Sequence, residues 1–251
     1  MEAGANRHGT PAVGRRDEEA RMATATSGRP TATSGRPTVA GGGTRRTTRV
    51  LLAGGIAAGP VFAVSATAQV LSRDGFDLTR QPLSLLALGE HGWIQIATFV
   101  VSGLLALAGA AGMRRVLRGQ PAGTWGPRLV AAFGVGTIIG GVLVSDPSMG
   151  WPAGAPEGPA ETLSWHAIGH GVGAMLAFLS LTAACLVFAR RYARDRQRVA
   201  ATLSLACAIV VAVVMAWPDQ GSLSIRMALG CALLFGWLSV VSARLLAVSS
   251  H

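Results

Sequence analysis

Lysine is absent from this sequence, and all 22 basic residues among its 251 are arginine. With the abundance of alanine and glycine, that absence reads as coding bias rather than as a functional signal. Charge is scarce as well: 14% of residues are charged, where about 25% is usual for a soluble globular domain. Aromatic residues make up 6%, with a single tyrosine, and no basic helix or aromatic-basic binding motif occurs. The formal charge of +10 therefore does not point to nucleic acid, because the arginines sit beside apolar runs. The three cysteines, Cys185, Cys207 and Cys231, all lie within such runs. A disulfide framework and a C-x-x-C metal motif are both excluded, and the thiols read as small packing residues.

What is present is apolar sequence, half of the chain. Residues 1–48 are the exception: an Arg/Thr/Gly-rich segment with the direct repeat ATSGRPT at 25–31 and 32–38. Such a segment buries too little apolar surface to offset its ordering entropy, so it is predicted to be a disordered cytoplasmic tail. Residues 49–247 hold six apolar runs, approximately Val50–Leu71, Trp93–Met113, Leu129–Ser145, Ser164–Phe188, Val199–Trp217 and Ile225–Leu246. Each approaches the roughly 20 residues a helix needs to cross about 30 Å of hydrocarbon. None shows the polar stripe of a soluble core helix. The expected fold is all-α: a polytopic six-helix transmembrane bundle in a lipid bilayer.

Arginine placement orients it. Nineteen of the 22 fall on the tail's side of the membrane, against Arg73, Arg80 and Arg226 on the other. The positive-inside rule then predicts both termini in the cytoplasm. Thr44-Arg45-Arg46 ahead of a run ending Ala66-Thr67-Ala68 also matches a twin-arginine signal. The length of the run favours a retained anchor. Gly55-x-x-x-Gly59, Gly136-x-x-x-Gly140 and Gly169-x-x-x-Gly173 allow close helix approach, read as packing within the bundle rather than as a dimer motif.

Span interiors carry no Asp, Glu, Arg or His, which disfavours an ion-coupled transporter, although Gln69, Gln95, Thr98 and Ser102 remain as lining candidates. The candidate chemistry lies at the predicted outer face. Arg73, Asp74, Asp77 and Arg80 form a mixed-charge cluster, and Glu90 and His91 precede the second span. Pro82–Leu88, including Ser84, is too short to span and too apolar for an ordinary loop, so a re-entrant or interface-lying helix is expected. Trp93, Trp151 and Trp165 fall at the depth of an aromatic belt. Asp146 closes the third span, and His166 and His170 open the fourth, four residues apart and so on one helical face. Two readings of these three remain open. They are a metal set in which zinc takes two imidazoles and a carboxylate, with Glu90, His91 or Asp219 as alternatives. Or they are structural groups hydrogen-bonded to loop carbonyls.

GFDLTRQPLSLLALGEHGWIQIATFV, DPSMGWPAGAP and SWHAIGH, in that order and spacing, resemble the bacterial membrane family called domain of unknown function 998. The likeness covers approximately residues 50–246. It implies a six-helix integral protein of a bacterial plasma membrane and no activity. Asp77, Pro82, Leu83, Ser84, Gly92, Trp93, Asp146, Pro147, Trp165, His166 and His170 match its motifs. Three functions are expected in order: a non-catalytic protein whose outer face binds a lipid, small ligand or partner; a metal-dependent membrane hydrolase of lipid or amide bonds; a transporter or channel. For the hydrolase, Ser84, Asp146, His166, His170 and His91 resemble in type the Ser, Asp and His set of alkaline ceramidase-like enzymes, where zinc activates water.

Overall fold

A computed structural model of the chain describes Met1 and residues 40–249. The predicted tail falls outside these residues, except that its last part, from Ala40, is helical. The helices are α1 (Ala40–Ser72), α2 (Gly92–Val116), α3 (Trp125–Val142), α4 (Trp165–Arg194), α5 (Arg198–Ala216) and α6 (Leu223–Val248), with one short 3-10 helix at Leu83–Ala87. All six long helices are apolar and long enough to cross a membrane, and no strand occurs among the described residues. The protein is an all-α, multi-pass membrane bundle.

Six crossings put the two ends of the bundle on one face. The connections 73–91, 143–164 and 217–222 meet on the opposite face, here called the loop face. It also gathers most of the acidic residues, whereas Asp195 is the sole acid on the arginine-rich face among the described residues.

Small residues bring the helices together. A Cβ on Gly109 of α2 would lie 2.7 Å from the Gly55 Cα of α1, so the two backbones touch there. Gly136 and Gly173 play the same part between α3 and α4, where a Cβ on Gly136 would lie 2.6 Å from the Gly173 carbonyl oxygen. The glycine motifs thus serve packing within the chain, as expected.

Pro60 sits inside α1 and, lacking an N–H, leaves the carbonyl of Ile56 without its helical partner. Ser239 of α6 donates its hydroxyl to that oxygen at 2.8 Å, which matters because no water in hydrocarbon can take the role. Around this level Phe62, Phe99, Phe133 and Phe235 form an aromatic cluster, with Phe62 stacked on Phe235 at 4.7 Å and Phe133 edge-on to it at 4.9 Å. The α5 helix is the least buried of the six.

Candidate functional site

The α3–α4 corner answers why an acid and two histidines flank one loop. The last carbonyls of α3 and the first N–H groups of α4 have no partners within their own helices. His170 Nδ1 bonds the carbonyls of Gly140 and Leu143 at 2.7 and 3.0 Å, and His166 Nδ1 bonds that of Val144 at 2.8 Å. A carbonyl only accepts, so both rings carry their proton on Nδ1, leaving Nε2 as the acceptor of the neutral ring. In return Asp146 caps α4: the Ser164 N–H donates to one carboxylate oxygen at 2.8 Å and the Ser164 hydroxyl to the other at 2.6 Å. Ser164 Oγ then accepts from the Ala167 N–H at 3.2 Å, as an N-cap does. Donors stand at the end of one helix and an acid at the start of the next, which is the arrangement helix dipoles favour.

This geometry brings Asp146 and His166 within 3.9 Å, with Ser164 between them, while His170 lies a turn further along α4. Among the described residues no three His, Cys, Asp or Glu side chains are placed to hold one metal ion. The corner therefore does not fit the shared zinc set. Asp219, an alternative ligand, instead accepts from the N–H groups of Gly221 and Ser222 in its own turn.

The Ser164 hydrogen bonds hold the Asp146 carboxyl below its ordinary 3.8, with His166 adding a smaller effect. A depressed native value means that the stabilisation is present above the unfolded pKa and disappears as pH falls through the native one. We expect the stability difference between wild type and Asp146→Asn, read from thermal melting, to stay constant between about pH 7 and 5 and to shrink only below about pH 4. A difference that already shrinks between about pH 7 and 5 would contradict that assignment.

The loop face is tied across two connections and the start of α6. Arg80 pairs with Glu157 at 2.8 Å, and that partner raises the Arg80 pKa. Gln81 donates to the Met149 carbonyl at 2.9 Å, Phe76 meets Trp151 edge-on, and Ser224 of α6 donates to the Arg80 carbonyl at 2.8 Å. Asp77 turns inward on its own loop, accepting from the N–H and hydroxyl of Thr79, which lower its pKa. Of the expected mixed-charge cluster Asp77 and Arg80 still act on each other, but Arg73 leaves it to donate to the carbonyls of Leu86, Leu88 and His91 and to Gln69. Asp74, Glu90 and His91 are exposed, and their side chains stay outside this arrangement. Of the three tryptophans, Trp93 and Trp165 are exposed as a belt requires, but Trp151 packs into the loop face against Phe76.

Pro82–Leu88 is not an interface-lying helix. Its 3-10 turn tucks into the bundle mouth and buries Leu85, Leu86 and Ala87, because Arg73 pins the carbonyls at its end. Beneath it is a cavity of about 70 Å³. Phe62, Phe99, Phe133, Phe178, Met227 and Phe235 wall it, and Pro82, Leu83 and Ser84 form its loop-face end. His170, Ser84 and Thr137 are its polar side chains. The Thr137 hydroxyl is already committed to the Phe133 carbonyl at 2.8 Å, whereas the Ser84 hydroxyl has no partner among the described residues. A groove of about 220 Å³ along α1 and α6, lined by Ala63, Ala66, Thr67, Val70 and Ala232, shares Phe62, Leu83, Ala228 and Cys231 with the cavity.

Gln69, Gln95, Thr98 and Ser102 do not line this cavity. Gln69 donates to Gln95 at 2.7 Å, and Ser65 bonds Thr98 between α1 and α2, so the first three are helix-pairing groups, whereas the buried Ser102 hydroxyl has no hydrogen-bond partner among the described residues.

The family model described as "Protein of unknown function (DUF998)" matches residues 56–244. The chain belongs to this family. The matched region runs from the first half of α1 to the last turns of α6 and takes in the corner, the loop face and the cavity. No curated protein and no solved structure matches the chain. Of the positions that carried the resemblance in the sequence, Pro82, Leu83, Ser84 and His170 line the cavity, while Asp146 and His166 hold the corner beside it. Sequence reading missed Ser164, Gln81 and Glu157. Ser164 had a signal, a serine immediately before an apolar helix; the other two act only through contacts distant in sequence.

Proposed function

We propose that this protein is a non-catalytic membrane receptor or carrier for an amphiphile of the lipid class. The apolar chain enters the aromatic cavity, and a hydrogen-bonding head group meets Ser84 and His170. One observation carries the reading: the cavity joins an apolar wall to two polar groups with hydrogen-bonding capacity left over, the Ser84 hydroxyl and the His170 Nε2. A space of about 70 Å³ holds a few waters' worth of volume, too little for a whole lipid. It suits the end of a chain, with the remainder lying in the adjoining α1–α6 groove, which shares Phe62, Leu83, Ala228 and Cys231 with it. The arginine asymmetry supports a cytoplasmic arginine-rich face and an extracytoplasmic loop face, so the ligand comes from the outer leaflet.

The hydrolase reading has less support. The Ser164 proton goes to Asp146, a weak base here because its pKa is lowered, and His166 Nδ1, 2.9 Å from that hydroxyl, carries a proton of its own toward the Val144 carbonyl and so cannot accept one.

Ala174 lines the cavity, and Ile209 on α5 is 52% exposed. Lipid retained through detergent washing, quantified by mass spectrometry, should fall severalfold in Ala174→Phe and stay at the wild-type level in Ile209→Phe. Equal retention in all three proteins would refute the cavity as the binding place.

A further inference from the structure

We infer a second lipid site on the opposite face: a groove between α3 and α4 that binds the phosphate of an anionic phospholipid. The groove, about 360 Å³, is formed by the 120–125 connection and the last turns of α4. Three arginines of α4, Arg190, Arg191 and Arg194, line it with Trp125. Arg191 is held in place, donating to the Pro121 carbonyl at 2.6 Å and to Gln120 at 3.0 Å, and facing Asp195 at 3.6 Å. Arg190 and Arg194 are exposed, one turn apart on the same helix face, with no hydrogen-bond or ion-pair partner among the described residues.

Two unpaired guanidiniums beside a third that is already fixed make a fork suited to a phosphate diester. Asp195, the one acid nearby, is directed at Arg191 and leaves the other two charges uncompensated. Trp125 adds a membrane-specific feature. It is 62% exposed, and Arg128 lies over its ring at 5.7 Å, so an amphipathic ring stands beside the cationic groove at a span end. Tryptophan at that depth contacts the region between head groups and chains. Arg190, a turn inside the helix end, reaches the same level by extending along the helix. Charge and depth together favour a lipid head group over a soluble anion, since basic pockets between span ends are where anionic head groups bind.

The test uses the full-length protein in detergent with added lipid. Native mass spectrometry would count phosphatidylglycerol and phosphatidylcholine retained by wild type, Arg190→Gln/Arg194→Gln, and a charge-matched control, Arg45→Gln/Arg46→Gln. The expected result is a preference for phosphatidylglycerol in wild type and in the control, lost severalfold in the groove variant. Arg190→Lys/Arg194→Lys, which keeps the charge, should retain part of the preference and shows that the groove variant is not merely misfolded. Equal loss in the groove variant and the control would assign the preference to diffuse charge and overturn the site. Displacement of the lipid by inorganic phosphate at millimolar concentration would reassign the groove to a free anion and overturn it as well.

Discussion

Gly109→Leu should abolish the folded bundle. A Cβ at that position would lie 2.7 Å from the Gly55 Cα and 3.2 Å from its nitrogen, and backbone atoms cannot swing aside as a side-chain tip can. Leucine gains about 1 kcal/mol over glycine in helix propensity, but overpacking a close contact costs about 1–3 kcal/mol or more. Four carbons forced between two touching backbones belong at the upper end, so the clash wins. The Ser242 side chain of α6 meets the same point, and separation of α1 from α2 would therefore loosen a third helix. Size-exclusion chromatography and thermal melting of the detergent-purified variant should show aggregation or a large drop in midpoint. A midpoint equal to wild type would mean that α1 and α2 do not meet at these glycines.

Arg226→Ala should release α5, the least buried helix. The guanidinium is nearly buried, 8% exposed. It donates to the carbonyls of Val214 and Trp217 at 2.8 and 2.7 Å, to that of Asp219, and to Ser222 Oγ at 3.0 Å. An unsatisfied buried polar group costs about 1–3 kcal/mol. Trp217 and Asp219 are exposed, so water replaces part of the loss, and the net effect is about 2–4 kcal/mol. Lysine should not rescue, because a single ammonium cannot reach acceptors arranged around a planar fork. Protease cleavage within 216–222 in reconstituted vesicles should become faster in the alanine and lysine variants alike. Full rescue by lysine would show that charge, rather than the fork, holds the turn.

Hydropathy located all six spans, because a run of apolar residues needs no tertiary information to be recognised. It misplaced their ends for physical reasons. The α1 helix begins at Ala40 rather than near Val50, since Gly, Thr and Arg extend a helix without registering as apolar. The α4 helix runs past Phe188 to Arg194, where arginine side chains reach out of the bilayer from helical backbone. At the other extreme α3 stops at Val142, and its apolar continuation Leu143–Ser145 lies outside the helix, where the Leu143 and Val144 carbonyls accept from the two histidines.

The candidate site was legible in part for the same reason. Spacing along one helix placed His166 and His170 on one face; in the structure Asp146 meets His166 at 3.9 Å, and His170 lies a turn further along, on the Gly140 and Leu143 carbonyls. Their partners were not readable, because backbone carbonyls leave no mark in a sequence. Arg73 and Arg226 show this most clearly. They count against the positive-inside pattern when read as loop charges, yet each is committed to carbonyl oxygens at the edge of the bundle. Ser84 and His170 lie far apart in the chain and share a cavity only because the 3-10 turn folds into the mouth of the bundle.

The most direct measurement of the central claim, that a lipid chain occupies the aromatic cavity, is photo-crosslinking in reconstituted vesicles. The bilayer would contain a phospholipid with a diazirine near the end of one acyl chain, and adducts would be mapped by peptide mass spectrometry. The account predicts adducts on cavity residues such as Phe133, Phe178 and Met227, reduced in Ala174→Phe, beside the ordinary labelling of lipid-facing residues such as Leu203 and Val213. Labelling confined to Leu203, Val213 and other outward-facing residues would contradict it.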